Sequence, residues 1–168
     1  MLKDIRTILF RFVILIFFQV VVLNHIHIGG LFNPYVYVWF ILFLPYRIHP
    51  SLLLLLSFAT GLLIDLFTHT IGMHTFACVL TGYVRHLMLK SATATEHDRG
   101  RFPSLHKSGF KWFFNYTTTL VLTHHCCLFL IETFAWADFT MALLRAILSA
   151  VLTVTFIFAC EILFSERS

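Results

Sequence analysis

Charge is what this 168-residue sequence has least of. Asp, Glu, Lys and Arg supply 12% of it, about half of the roughly 25% usual in soluble domains. That is too little to cover a globule in water, and mean hydropathy is +0.87. A soluble enzyme, a disordered chain and a fibrous repeat are therefore excluded. Cysteine is scarce too. Cys78, Cys126, Cys127 and Cys160 all lie inside apolar stretches, so a disulfide framework is not expected, and the thiols read as small apolar residues.

What is present is apolar: 59% of residues are hydrophobic, and 20 are phenylalanine. The runs are continuous rather than alternating, which favours helices over a membrane barrel. At roughly 20 residues per crossing, the chain predicts an all-α membrane protein, a compact six-helix transmembrane bundle in one domain. The expected spans are about 8–28, 34–47, 51–68, 71–89, 112–131 and 139–164, with one sizeable loop at 90–111. The second is shorter than a straight crossing requires. It could thin the bilayer or form one limb of a re-entrant hairpin. Lys3, Arg6 and Arg11 ahead of an apolar run resemble a signal peptide, but Val22-Leu23-Asn24-His25 has no small-residue cleavage site. A retained first helix is the expectation.

The sign of the charge orients these spans. Net charge is +4, which could suggest nucleic acid until it is placed along the chain. With six crossings and both termini cytoplasmic, every one of the 12 basic residues except Arg145 falls on the inner side, as cytoplasmic loops require. The basic loop carries His97, Arg99, Arg101, His106, Lys107 and Lys111, and it could meet anionic lipid or a cytoplasmic partner. No nucleic-acid role is implied.

Two charges stand apart. Asp65 in the third span and Arg145 in the sixth lie at matching depth, roughly 5–10 Å below the outer boundary by helical rise. Either they pair, or each reaches separately for the outer headgroups. Ser57, Gly61 and Asp65 share one helix face, and Ala142, Ala146 and Ala150 form a similar stripe. Such stripes let another backbone approach closely, within the chain or in a partner. His124, His125, Cys126 and Cys127 diverge by about 100° per residue and cannot close on one ion. His74 and Cys78 lack further ligands at fixed spacing, so no metal is expected. No nucleophile elbow, zinc-protease motif or phosphate loop is present; no catalytic residue and no cofactor are expected.

The third and fourth spans carry a more specific pattern. Gly61-Leu62-Leu63-Ile64-Asp65-Leu66-Phe67, followed by Ile71-Gly72-Met73-His74-Thr75-Phe76, resembles the central signature of the rod-shape-determining MreD family. Phe32-Asn33-Pro34-Tyr35, Leu42-Phe43-Leu44-Pro45, His124-His125 and Phe129-Leu130-Ile131-Glu132-Thr133-Phe134 are similar to stretches of its Bacteroidetes-type members. The residues 91–108 depart most. The resemblance implies a non-enzymatic subunit of the cell-elongation machinery in the cell inner membrane. Its implied partner is MreC, bound through helix surfaces, with MreB and peptidoglycan synthases reached indirectly. It also implies a bundle similar to the substrate-binding subunits of energy-coupling-factor transporters. Carried onto this chain, it singles out Gly61 and Asp65, with Gly72 as the turn and Asn33 and Pro34 as the outer entry. Arg145 comes from the depth match alone. The alternative is a small-molecule, vitamin-type binding subunit of a membrane transporter, with an outward pocket lined by residues such as Asn24, Asn33, His69 and Asp65.

Overall fold

The computed structural model describes residues 2–25, 33–91, 102–135 and 139–165. Gly29, Gly30, Phe32, His97, Arg99, Arg101, Asp138, Glu166 and Arg167 lie outside them. Among the described residues the chain is all-helical. The helices are α1 (Leu2–Val21), α2 (Val38–Leu42), α3 (Pro50–Thr68), α4 (Met73–Ser91), α5 (Leu105–Ser108), α6 (Phe110–Ala135) and α7 (Phe139–Ser165), with a 3-10 turn at Leu23–His25. Among the described residues two helical stretches are long and apolar enough to cross a membrane: Pro50–Thr68, with mean hydropathy 2.0, and Phe139–Leu163, with 2.3.

Local chemistry sets the limits of α3. Pro50 occupies the first turn, where its missing N–H costs nothing. His49 precedes it, and its Nδ1 accepts from the Ser51 N–H at 3.3 Å. At the other end His69 turns left-handed (φ 57°) and donates its N–H to the Asp65 carbonyl. Within the helix, Ser57, Thr60 and Thr68 donate their hydroxyls to the carbonyls four residues back. These side chains satisfy themselves without water.

Polarity runs inside out. The buried face of α3 is Leu53, Ser57, Thr60, Gly61, Ile64 and Asp65, whereas Leu52, Leu55, Phe58, Leu62, Leu66 and Phe67 are exposed. On α7 the buried positions include Ala146, Ser149, Ala150 and Thr153, and Leu143, Leu144, Ile147 and Val151 are exposed. The first helix buries Gln19 and exposes Leu9, Phe10, Val13 and Phe17. Soluble helices are arranged the other way.

The largest departure from the sequence expectation is at 34–47. Only Val38–Leu42 is helical, about 7.5 Å by helical rise and too short to be a spanning helix. Instead of facing outward, the segment is enclosed: Val36, Tyr37, Val38, Ile41 and Leu42 have no exposed surface. It runs through the interior. Pro34 sits beside Gln19 near the end of α1, and Tyr46 reaches Ser108 of α5 with a 2.9 Å hydroxyl contact.

A five-residue helix cannot satisfy its own ends, and no water competes for a buried segment. Side chains from the surrounding helices do so instead. Gln19 Oε1 accepts from Val36 N at 2.8 Å and Tyr37 N at 3.4 Å, and its Nε2 donates to the Pro34 carbonyl at 3.2 Å. The Thr153 hydroxyl accepts from Tyr35 N at 3.1 Å. At the far end, Arg85 donates to the carbonyls of Leu44 and Pro45 and, from Nε at 2.9 Å, to the Tyr116 hydroxyl. Tyr116 donates in turn to the Leu42 carbonyl at 2.7 Å. Arg85 is 1% exposed, so it is a buried clamp rather than one of the cytoplasmic charges it was counted among.

Removing a clamp strands buried carbonyls, at about 1–3 kcal/mol each. Arg85→Met is expected to destabilise the protein by about 3 kcal/mol on that scale. Adding Tyr116→Phe should cost far less than its effect alone, because the two act on one cluster. Denaturant titration of the purified protein in mixed micelles, over the four-variant cycle, checks both points.

Candidate functional site

The residues singled out on α3 meet the start of α4. A Cβ built on Gly61 would fall onto the Thr75 backbone, 2.6 Å from the His74 carbonyl oxygen and 2.7 Å from Thr75 N. Only a glycine allows the two helices this separation. One turn back the same logic is mirrored: a Cβ on Gly82 would lie 2.5 Å from Ser57 Oγ. The Ser57–Gly61–Asp65 face is thus filled by α4 of the same chain. Ala146 and Ala150 on α7 are likewise buried within the chain, 1% and 2% exposed.

Asp65 completes that contact. Its Oδ1 accepts from His74 N at 3.1 Å and from the Thr70 hydroxyl; its Oδ2 accepts from Thr75 N at 2.9 Å and from the Thr75 hydroxyl. Two of the unpaired N–H groups that open α4 are therefore capped from across the turn by a carboxylate, which also suits the positive end of a helix. Gly72 provides the bend (φ +74°), with open space around its Cα. The sequence motif is an interhelical cap.

Arg145 is not part of it. Its Nη1 lies 3.9 Å from Glu132 Oε1, both side chains being over one-third exposed. The matched depth of Asp65 and Arg145 does not become a contact, because Asp65 is turned toward α4 and Arg145 toward the end of α6. Asn33 and Pro34 lie where the buried segment begins, next to Gln19 and Asn24.

The histidines form a buried network. The Tyr37 hydroxyl lies 2.7 Å from His74 Nδ1 and 2.8 Å from His124 Nε2. With one hydrogen, Tyr37 donates to one ring and accepts from the other, so the two imidazoles must present opposite faces of the tautomer pair. Cys78 Sγ is 4.0 Å from His124 Nε2. His125 bonds the Val121 carbonyl through Nδ1 at 2.8 Å and lies 3.2 Å from the Thr153 hydroxyl through Nε2. Neighbouring histidines thus serve different partners, as their angular separation on α6 requires. Among the described residues no group of three or more His, Cys, Asp or Glu could hold a metal ion.

Beside this network is a half-open cavity of about 440 Å³. Its polar lining is Asn24, Asn33, Thr68, Thr70, His74 and Glu132, and Tyr35 and Phe67 add aromatic surface. Of the pocket residues expected from sequence, Asn24 and Asn33 are present; His69 and Asp65 are not. Gln19, Tyr37, Arg85, Tyr116 and Thr153 were not anticipated as key residues. Their one signal in the sequence is a polar or charged letter inside an apolar stretch. No family model, no curated protein and no solved structure matches the chain.

Gly61→Ala is expected to destabilise more than Gly72→Ala, because it forces two helices apart whereas Gly72 only loses a favourable φ, worth about 1–2 kcal/mol. Asp65→Ala should cost about 2–4 kcal/mol for its lost caps. Arg145→Ala should leave that cost unchanged. Thermal unfolding of the four variants and the Asp65/Arg145 double variant gives the comparison.

Proposed function

We propose that the chain is a multi-pass inner-membrane scaffold of the cell-elongation (rod) complex, a member of the MreD family. The observation that carries its membrane part is the inverted polarity. Exposed surfaces of α1, α3 and α7 are mostly leucine, isoleucine, valine and phenylalanine, whereas Gln19, Asp65, His74, Arg85, His124 and His125 are buried. A lipid solvent accounts for both halves of this pattern. Counting the buried segment, the chain makes six passes. Exposed Arg6, Arg47, Lys90, Lys107 and Lys111 then lie on the cytoplasmic side, with both termini.

The scaffold part rests on the resemblance around Gly61, Asp65 and Gly72 and on what those residues do. They lock α3 to α4 rather than presenting a reactive group. MreC would then dock on the exposed apolar helix faces, since the small-residue stripes are already filled. MreB and the peptidoglycan synthases would be reached through it. No enzymatic step is assigned. A second reading, a small-molecule-binding subunit of a membrane transporter, is favoured by one observation, the polar cavity.

Co-purification tests the first reading. A tagged copy solubilised from its own cells should retain a protein with one membrane helix, a coiled coil and an external β domain, and deletion should round the cells. Rod-shaped deletion cells that lack such a complex would contradict it. Cysteines introduced at Thr70 and Lys107 should label with impermeant maleimide from opposite sides; labelling from the same side would contradict the topology.

A further inference from the structure

We propose that the 440 Å³ cavity is a binding site for a small, hydrogen-bond-donating molecule that carries an amine. The inference names a ligand class for the transporter reading, but it rests on the cavity and not on transport.

One side of the lining, Thr68, Thr70 and Glu132, offers acceptors. The Thr68 and Thr70 hydroxyls share their two hydrogens among three contacts, with the Ile64 carbonyl, with Asp65 Oδ1 and with each other at 2.8 Å. With those hydrogens committed, both oxygens offer a ligand lone pairs only. Glu132 supplies a carboxylate. Arg145 pairs with it at 3.9 Å, and the Glu132 side chain is 39% exposed, so at that distance the carboxylate oxygens keep lone pairs for a second donor. Among the described residues no lysine or arginine lines the cavity. The positive end of α4, which could otherwise attract an anion at Met73 and His74, is already capped by Asp65.

The remaining groups give orientation. His74 Nδ1 is held by Tyr37, which leaves Nε2 as the ring edge for a ligand. Asn24 is fixed by the 3.0 Å bond from Gln19 Nε2 to its Oδ1, which leaves its amide N–H groups to donate to an acceptor on the ligand. Aromatic surface from Tyr35 and Phe67 suits the flat or apolar face of a ring. A mixed site of this size, with a few converging polar groups, is the usual form of a small-molecule pocket. Among the described lining residues Glu132 carries the one full charge, and it selects for a positively charged donor on the ligand.

The test is thermal unfolding of the full chain in detergent with two size-matched series. One is glucosamine, glucose and glucuronate; the other is tryptamine and indole-3-acetate. At least one amine should raise Tm by about 5 °C when present at a hundredfold excess over its Kd, with the acid of the same series silent. Glu132→Gln should remove most of that shift. Asn24→Asp, which keeps an acceptor for Gln19 and adds a carboxylate, should enlarge it. Silence from both amines, an acid equal to its amine, or a shift untouched by both variants would overturn the proposal. Binding without cellular uptake of the amine would remove the transporter reading and leave the site. Failure to recover MreC affects neither.

Discussion

A buried backbone must find its hydrogen bonds inside the protein, and residues 34–46 make this the controlling constraint here. The segment is too short to be a self-sufficient helix and too enclosed to reach solvent. Each exposed end of its hydrogen-bond ladder is met by a side chain from another helix: Gln19 on α1, Thr153 on α7, Arg85 on α4 and Tyr116 on α6. The polar residues that look costly in so apolar a chain are the ones that make the central segment affordable. They also tie four helices to one axis, so the segment organises the bundle as much as the bundle encloses it.

The α3–α4 pair is the second rigid unit, built on different physics. Here the need is close approach, met by Gly61 and Gly82, and the exposed N–H groups at the start of α4 are met by Asp65. The two units join at His74, which follows the capped turn and bonds Tyr37 of the central segment. The cavity lies at that junction. It is the place where the central segment has not yet become helical and the α3–α4 turn bends away, leaving a space with polar lining between them. In the scaffold proposed above, such rigidity would keep the outward apolar faces in register for a partner.

Much of the helical layout was legible because apolar runs and their breakers are strong signals. The proline at 50, the Gly72 turn and the continuous run from Phe139 leave little choice of secondary structure. The face carrying Gly61 and Asp65 was legible as a close contact by its spacing, but not as a contact with α4. A stripe states that something approaches and does not say what. Asp65 and Arg145 show the complementary weakness. Depth along a helix follows from residue count, whereas lateral neighbours depend on packing; α3 adjoins α4, and α7 adjoins α6. Arg85 was misplaced because a basic residue near a span end reads as a loop charge. Only the unpaired carbonyls of Leu44 and Pro45 reveal its role, and a sequence does not display unpaired carbonyls. The short α2 was obscured for the same reason: Tyr35 to Leu44 is apolar enough to span, but its length and its burial are decided by the side chains that cap it.

The most direct test of the central segment is amide hydrogen exchange on the full chain in micelles or nanodiscs, read residue by residue. If side-chain clamps hold 36–44 in the interior, the amides of Val36, Phe40, Phe43 and Leu44 should exchange as slowly as those in the middle of α3, near the limit set by global unfolding. Exchange at those positions as fast as at the ends of α1, with α3 still protected, would contradict the account.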